Sequence, residues 1–222
     1  IVCRSFEQLK LDVGYNNYNI NVIGVGPGFA YGPAGPTHHS LEDVSLIRSI
    51  KNSKIIAPSD SNLAKKIFLN NFNSKKFNFF RLERGILREN KLTKKDLLLG
   101  FRLLFNGKKN LIISYGEMIS RLQNEIENLN QKKNFTILDN FVLKPINKPK
   151  IKKIIKSFKN CIVIEEQIKT SGISNIISDI IIENKLKVNF RRFYISEKDM
   201  HHYKIRDKFY ADKIRKLLKE FC

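Results

Sequence analysis

With 222 residues, 42% of them hydrophobic, the chain can bury a core in one large or two modest domains, and it has no apolar run of about 18 residues that would predict a membrane span. The formal net charge of +20 suggests a nucleic-acid-binding module, but the lysines are scattered without a basic arm or zinc-finger spacing, so nucleic-acid binding is only an alternative hypothesis. Three widely separated cysteines predict neither a disulfide framework nor a metal cluster, and they favour a reducing cytoplasm.

The first half of the chain alternates strand-like apolar runs with helical periodicity. A helical pattern that ends near Gly14 is followed by predicted strands over residues 20–25, 55–57 and 77–82. One helix is predicted after Ser40, and another after Asp60, which has the position of an N-terminal cap. This alternation predicts an α/β fold with mostly parallel sheets flanked by helices.

The second half continues the same alternation and forms a second predicted domain. Residues 89–109 are charged and carry Gly100 and Gly107 around a short apolar run, which predicts a linker with a hairpin. The domains are therefore expected over residues 1–88 and 110–222. The predicted strands of the second domain cover residues 111–114, 135–139, 161–165 and 188–193, its helices cover residues 118–129, 151–158, 173–183 and 214–221, and a turn is predicted at Lys144-Pro145.

A glycine-rich loop follows the first predicted strand, from Gly24 to Pro36. Its glycines do not have the G-x-G-x-x-G spacing of a dinucleotide site, and Pro27 removes a backbone amide that a phosphate nest would use. The loop is therefore predicted to shape a pocket wall.

Two histidines, His38 and His39, lie at the junction between this loop and the next predicted helix. Helix amides attract anions, and an imidazole exchanges protons near neutral pH, so this position suits catalysis, while surface or capping histidines are the alternative. Adjacent side chains point in different directions, so one of the two is expected to enter a site. Ser40 and Asp43 have capping-box spacing at the helix start. A second pair, His201 and His202, is expected to be solvated.

Several motifs in order resemble the transketolase family, from its pyrimidine-binding domain to its C-terminal domain. They are Arg4-Ser5-Phe6-Glu7-Gln8, Gly35-Pro36-Thr37-His38, Pro58-Ser59-Asp60 and Phe80-Arg81-Leu82-Glu83-Arg84-Gly85 in the first half, and Tyr115-Gly116-Glu117-Met118, Leu143-Lys144-Pro145 and Glu165-Glu166 with Ser171-Gly172 in the second. Family members named 1-deoxyxylulose-5-phosphate synthase and the beta subunits of 2-keto acid decarboxylases share this architecture and remain alternatives.

The resemblance implies a transferase of ketol units that uses thiamine diphosphate and Mg²⁺. By resemblance, His38 contacts substrate oxygens and moves protons, and Arg84 binds a sugar phosphate. Arg4 and Arg81 are further candidates for the same anion, with a structural ion pair as the alternative for each. Asp43 is expected to be a helix cap.

The resemblance also implies what this sequence does not supply. The family's acidic residue before G-x-T-H is replaced by Ala34, and an upstream histidine by Gly26, which leaves the donor substrate open. The residues that bind the cofactor are expected before Ile1. A diphosphate-binding half or subunit, within a homo- or hetero-oligomer, is therefore the expected partner.

Overall fold

The computed structural model of the protein describes residues 2–85, 87–199 and 206–222. Its first sheet contains β1 (Asn21–Val25), β2 (Ser53–Ile56) and β3 (Phe77–Leu82), with β3 in the middle and parallel to both neighbours. The strands end where their apolar runs end, because alternate side chains of each strand must face a buried layer. The expectation of mostly parallel strands is thereby confirmed for this sheet.

Helices flank the first sheet on both faces. They are α1 (Phe6–Gln8), which continues as a π-helix (Leu9–Tyr15), α2 (Asp43–Ser49) and α3 (Ser61–Asn71). Asp60 caps α3 as predicted, since its side chain accepts a hydrogen bond from the Leu63 amide at 2.8 Å. Leu63 and Ile67 of α3 then pack on Ile56 and Phe80 of the sheet.

The second sheet has five strands in the order β4-β6-β5-β8-β9, all parallel except the edge strand β4. Its strands are β4 (Arg102–Leu104), β5 (Asn110–Ser114), β6 (Phe135–Asp139), β8 (Asn160–Ile168) and β9 (Asn189–Ile195), and its helices are α5 (Met118–Asn128), α6 (Lys148–Ile155), α7 (Ser174–Glu183) and α8 (Arg206–Lys219). Among the described residues, no helix is long and apolar enough to cross a membrane.

The prediction of a hairpin within residues 89–109 is wrong. The segment instead forms α4 (Lys94–Leu99) and the single strand β4, which pairs with β6. Thr93 and Asp96 make a capping box at the helix start, and Gly100 ends the helix in the left-handed conformation with φ of 78°. The capping box and the terminal glycine are both visible in the sequence. The short apolar run between Gly100 and Gly107 nevertheless favoured the prediction of two paired strands.

The predicted turn at Lys144-Pro145 is preceded by a strand, β7 (Val142–Lys144), which leaves its own half of the chain. β7 pairs antiparallel with β2 and so becomes the fourth strand of the first sheet. Phe79, Leu143 and Val163 accordingly belong to one continuous hydrophobic core. The two sheets are therefore parts of one packed unit.

A buried ionic cluster joins the sheets beside β7. Arg102 on β4 donates to Asp139 on β6 at 2.9 Å and to Asp60, the cap of α3, at 2.5 Å. Ser59 accepts from Arg102 at 2.8 Å and donates to Asp139. Arg102 is 1% exposed, so its charge is stabilised by these partners and not by water. Burial raises the pKa of Asp139 to about 6, against the opposing effect of Arg102.

We expect Arg102→Met to destabilise the fold by about 3 to 5 kcal/mol, because it leaves two carboxylates buried without their cation. Urea unfolding followed by circular dichroism measures the loss. Arg88→Met is the matched control, since Arg88 is 43% exposed in its pair with Glu127, and its loss should stay below about 1 kcal/mol. Equal losses in the two variants would contradict a special role for Arg102.

Candidate functional site

A cavity of about 400 Å³ opens at the carboxyl ends of β1 and β3. Ligands of open α/β sheets bind at this edge, because loops and helix starts converge there. Residues 24–27 of the glycine-rich loop form one wall, in agreement with the prediction. Gly28 pairs with Ser40 through two backbone hydrogen bonds, of 2.9 and 3.0 Å, which fold the loop back over the cavity.

Both histidines line the cavity. His38 ends a short 3-10 turn (Pro36–His38), and His39 follows with extended backbone. The exposed His38 shares a hydrogen bond between its Nδ1 and Thr37 Oγ1 at 3.0 Å. His39 packs edge-on against Phe29, with ring centroids 4.8 Å apart, and burial lowers its pKa.

The arginines implied by the family motifs occupy different positions around the cavity. Arg4 and Arg81 line it directly. Arg84 is exposed beside it, and its guanidinium lies 4.8 Å from the ring centroid of Tyr31, a lining residue. The structure therefore brings His38, Arg4 and Arg81 together and places Arg84 at the rim.

Asp43 is not the expected helix cap. Residue 42 precedes α2 without a side-chain capping bond, and Asp43 is the first residue of the helix. Its carboxylate is 3% exposed and accepts from Arg81 Nε at 2.8 Å and from Gln167 Nε2 at 2.7 Å. Burial explains the difference, because a carboxylate enclosed by the two sheets requires a cation more than a helix end requires a cap. The structural ion pair that was the alternative for Arg81 is thus present, with Asp43 as its partner.

Three consecutive polar residues at the end of β8, from Glu165 to Gln167, face this region from the second sheet. Glu165 accepts from Tyr115 Oη at 3.0 Å and from the amides of Ile173 and Ser174 at 2.7 and 3.0 Å. Burial raises its pKa. The Tyr115 ring in turn lies 5.7 Å from the Arg81 guanidinium.

Glu166 anchors the glycine-rich loop. It accepts from the Phe29 amide at 3.0 Å, from Tyr210 Oη at 2.6 Å and from Arg206 at 2.9 and 3.0 Å. A Cβ added at Gly28 would lie 1.9 Å from the Glu166 carboxyl carbon, so only glycine allows this approach. The contact fixes the loop against the second sheet.

Arg206 at the start of α8 also binds two further carboxylates, Glu117 at 2.7 Å and Glu83 at 3.1 Å. Glu83 directly precedes Arg84 in the chain, so the rim arginine is tethered to the second sheet. Burial raises the pKa of Glu117 to about 7, Arg206 and Arg121 oppose this rise, and Glu83 adds to it.

The described residues do not fit the cofactor implied by the family motifs. No group of three or more His, Cys, Asp or Glu side chains among them is placed to hold a metal ion. The acidic side chain that lines the cavity, Asp43, is already bound by Arg81 and Gln167. The described residues therefore offer neither a free carboxylate on the cavity wall nor a set of ligands for Mg²⁺.

The sequence interpretation missed Gln167, Tyr115 and Glu166 as residues that shape this site. A signal existed, because three polar residues directly follow the buried run from Cys161 to Ile164 at the carboxyl end of a strand. His201 and His202 lie outside the described residues.

Comparison with known families agrees with the two halves of the structure. The sequence profile of the transketolase pyrimidine binding domain matches residues 2–90, and that of the transketolase C-terminal domain matches residues 101–212.

Two curated relatives are each one subunit of an apulose-4-phosphate transketolase. The subunit from Actinobacillus succinogenes is 27% identical over 199 residues, 89% of this chain and 64% of the relative. Its counterpart in Phocaeicola vulgatus is 28% identical over 192 residues, 84% of this chain and 61% of the relative. The chain thus spans less than two thirds of each. The 1-deoxy-D-xylulose-5-phosphate synthase of Prochlorococcus marinus is 26% identical and covers 90% of this chain, with 32% of its own length matched.

Solved structures share the fold at low sequence identity. A split gene transketolase, described as an inactive beta4 tetramer, aligns over 98% of this chain and 72% of its own, with a TM-score of 0.78 and 16% identity. The transketolase of Campylobacter jejuni aligns over 99% of this chain and 34% of its own, with a TM-score of 0.76 and 14% identity.

We expect the ionisation of Glu117 to lower the free energy of unfolding as the pH rises from about 5 to about 7. The folded state holds the Glu117 proton up to a pKa of about 7, whereas the unfolded state releases it near its ordinary pKa of about 4.3, so stability falls across that window. Glutamine cannot ionise, so the unfolding free energy of the wild type minus that of Glu117→Gln should fall as the pH rises through this window.

Urea unfolding at pH 5, 6, 7 and 8 measures that difference. Glu127→Gln is the control, because hydrogen bonds from Arg88 and Lys132 lower the pKa of Glu127, and its difference from wild type should be constant above about pH 5. A constant difference for Glu117→Gln as well would show that the prediction is wrong.

Proposed function

Because this chain belongs to the transketolase family, we propose that it supplies the pyrimidine-binding and C-terminal part of a thiamine-diphosphate-dependent transferase of ketol units. The donor is a ketose or a keto compound, and the acceptor is an aldose phosphate. The observation that carries the proposal is the convergence of His38, Arg4 and Arg81 on one cavity, within two domains that match the family in order.

In this proposal the chain contributes the substrate-binding wall of the active site. Thiamine diphosphate and Mg²⁺ are assigned to a diphosphate-binding half, because the described residues do not fit either group. The apulose-4-phosphate relatives are named as single subunits of a transketolase, and the structural neighbour is the product of a split gene. Both names favour a separate subunit as the missing half. The site is then complete only in a cytoplasmic oligomer.

His38 is proposed to exchange protons with substrate oxygens. It is exposed at the cavity wall, and its bond with Thr37 restrains the ring. A positioned imidazole near neutral pH suits this role, and general acid–base catalysis of this kind contributes about 10² to 10⁴ in rate.

Arg84 is proposed to bind the acceptor phosphate at the cavity rim. Its guanidinium is accessible and is oriented by the Tyr31 ring and by the tether of Glu83 to Arg206. A planar guanidinium offers a phosphate two parallel hydrogen bonds. Arg4 adds positive charge to the cavity lining, and Arg81 lines the cavity while paired with Asp43.

A 1-deoxyxylulose-5-phosphate synthase activity is the second candidate, since a protein of that name matches most of this chain. Ala34 and Gly26 both depart from the transketolase pattern, so the donor must be decided by assay. Release of CO₂ from a 2-keto acid donor would favour the synthase or a 2-keto acid decarboxylase, whereas transfer from a ketose without CO₂ would favour a transketolase.

We expect two different kinetic losses in the assembled enzyme. His38→Ala should lower kcat by about 10² or more, because it removes a proton-transfer group. Arg84→Ala should raise KM for a phosphorylated acceptor by about tenfold and change KM for the unphosphorylated acceptor little, because only the phosphate contact is lost. Steady-state assays with the diphosphate-binding half, thiamine diphosphate and Mg²⁺ measure both.

Arg88→Ala is the matched control, because Arg88 is a surface arginine paired with Glu127 on α5. Its kinetic constants should equal those of the wild type. Unchanged kcat in His38→Ala together with unchanged KM in Arg84→Ala would overturn the assignment of the site.

A further inference from the structure

Arg81 has a donor that the ion pair with Asp43 does not use. The side chain is 5% exposed and lines the cavity, and its Nε donates to Asp43 at 2.8 Å. Its Nη2 is buried and has no hydrogen-bond partner among the described residues. Buried guanidinium donors are nearly always paired in native proteins, so this atom is suited to an oxygen brought by a ligand.

The direction of Arg81 depends on Asp43, and Asp43 is held from the second sheet. Gln167 donates its Nε2 hydrogen to the second carboxylate oxygen of Asp43 at 2.7 Å. Ser171 Oγ donates to Gln167 Oε1 at 2.6 Å, which fixes the orientation of the amide. Gln167 is 0% exposed, so its position is determined by these bonds and by packing.

The other side of Arg81 is also bounded by the second sheet. The Tyr115 ring lies 5.7 Å from the guanidinium, and its hydroxyl donates to Glu165 at 3.0 Å. Glu165 is itself held by two backbone amides at the start of α7. Arg81 therefore lies between two supports, Gln167 acting through Asp43 and Glu165 acting through Tyr115.

We propose that Gln167 is a positioning residue of the substrate site, which acts through Asp43 to aim the Arg81 guanidinium at an anionic oxygen of the substrate. The C-terminal domain thereby sets substrate affinity, although Gln167 does not itself line the cavity. The identity of the substrate rests on the function proposed above, whereas the chain of contacts does not.

The alternative is that Gln167 only stabilises the contact between the two domains and has no effect on substrate binding. Gln167→Leu removes the amide and keeps most of the volume. Gln123→Leu is the matched control, because Gln123 is 2% exposed and donates to Asn90 at 2.8 Å, also joining the second domain to the segment before it. We expect both variants to lose stability, and we expect only Gln167→Leu to change ligand binding at the cavity.

The first measurement is binding to the full chain. The Nε–H resonance of Arg81, assigned by its loss in Arg81→Lys, is followed by NMR during titration with inorganic phosphate and with a pentose 5-phosphate. Gln167→Leu should shift this resonance before any ligand is added and weaken binding by about tenfold, a size typical for one lost hydrogen bond to a charged group. Gln123→Leu should bind as the wild type does.

The second measurement is a double-mutant cycle in the assembled enzyme. Gln167→Leu should raise KM about tenfold with kcat nearly unchanged, and it should add little in the Arg81→Lys background, because both changes act through one side chain. If Gln167→Leu binds like the wild type, or if its effect on KM adds to that of Arg81→Lys, the proposal is overturned.

Failure of the proposed function gives a different result. If the assembled enzyme transfers no ketol unit while phosphate binding still depends on Gln167, the function is wrong and the positioning role holds. If transfer is observed and Gln167→Leu leaves both KM and the Arg81 resonance unchanged, the positioning role is wrong and the function holds.

Discussion

The buried pairing of Arg102 with Asp60 and Asp139 is the constraint on which the arrangement of the two sheets depends. Each of its three charges comes from a different element, and all three are buried. The strand β7 crosses to the first sheet immediately after Asp139 and Asn140. Charge pairing and strand exchange thus occur at the same junction between the sheets.

The cavity is built by one domain and shaped by the other. The first sheet supplies His38, Arg81 and the glycine-rich loop, while the end of β8 supports both the loop and the arginine through Glu166 and Gln167. Side chains without contact to a ligand can control affinity in this way, because buried polar groups have few alternative partners. No described residue of the second domain lines the cavity, so its proposed influence on the site acts through these contacts alone.

Local patterns predicted the individual elements well. The strands over residues 77–82 and 135–139 agree with the structure because their apolar runs end at polar turns, and Asp60 caps α3 because its signal is local. The helix α4 was not predicted although its capping signals are local too, because the charged segment around it suits a linker equally well. Asp43 was misassigned because its capping-box spacing says nothing about a cation that arrives from β3.

The sequence by itself determined the order of the strands and helices other than α4, β4 and β7, together with the family motifs and the candidate residues His38 and Arg84. All of these depend on neighbours within a few residues or on the order of motifs. Only the tertiary structure decided that Val142–Lys144 joins the first sheet and that Gln167 reaches Asp43. The reason is physical: a buried charge or an edge strand is satisfied by whichever partner the folded chain brings near, and that partner can lie far away along the sequence, as Gln167 does from Asp43.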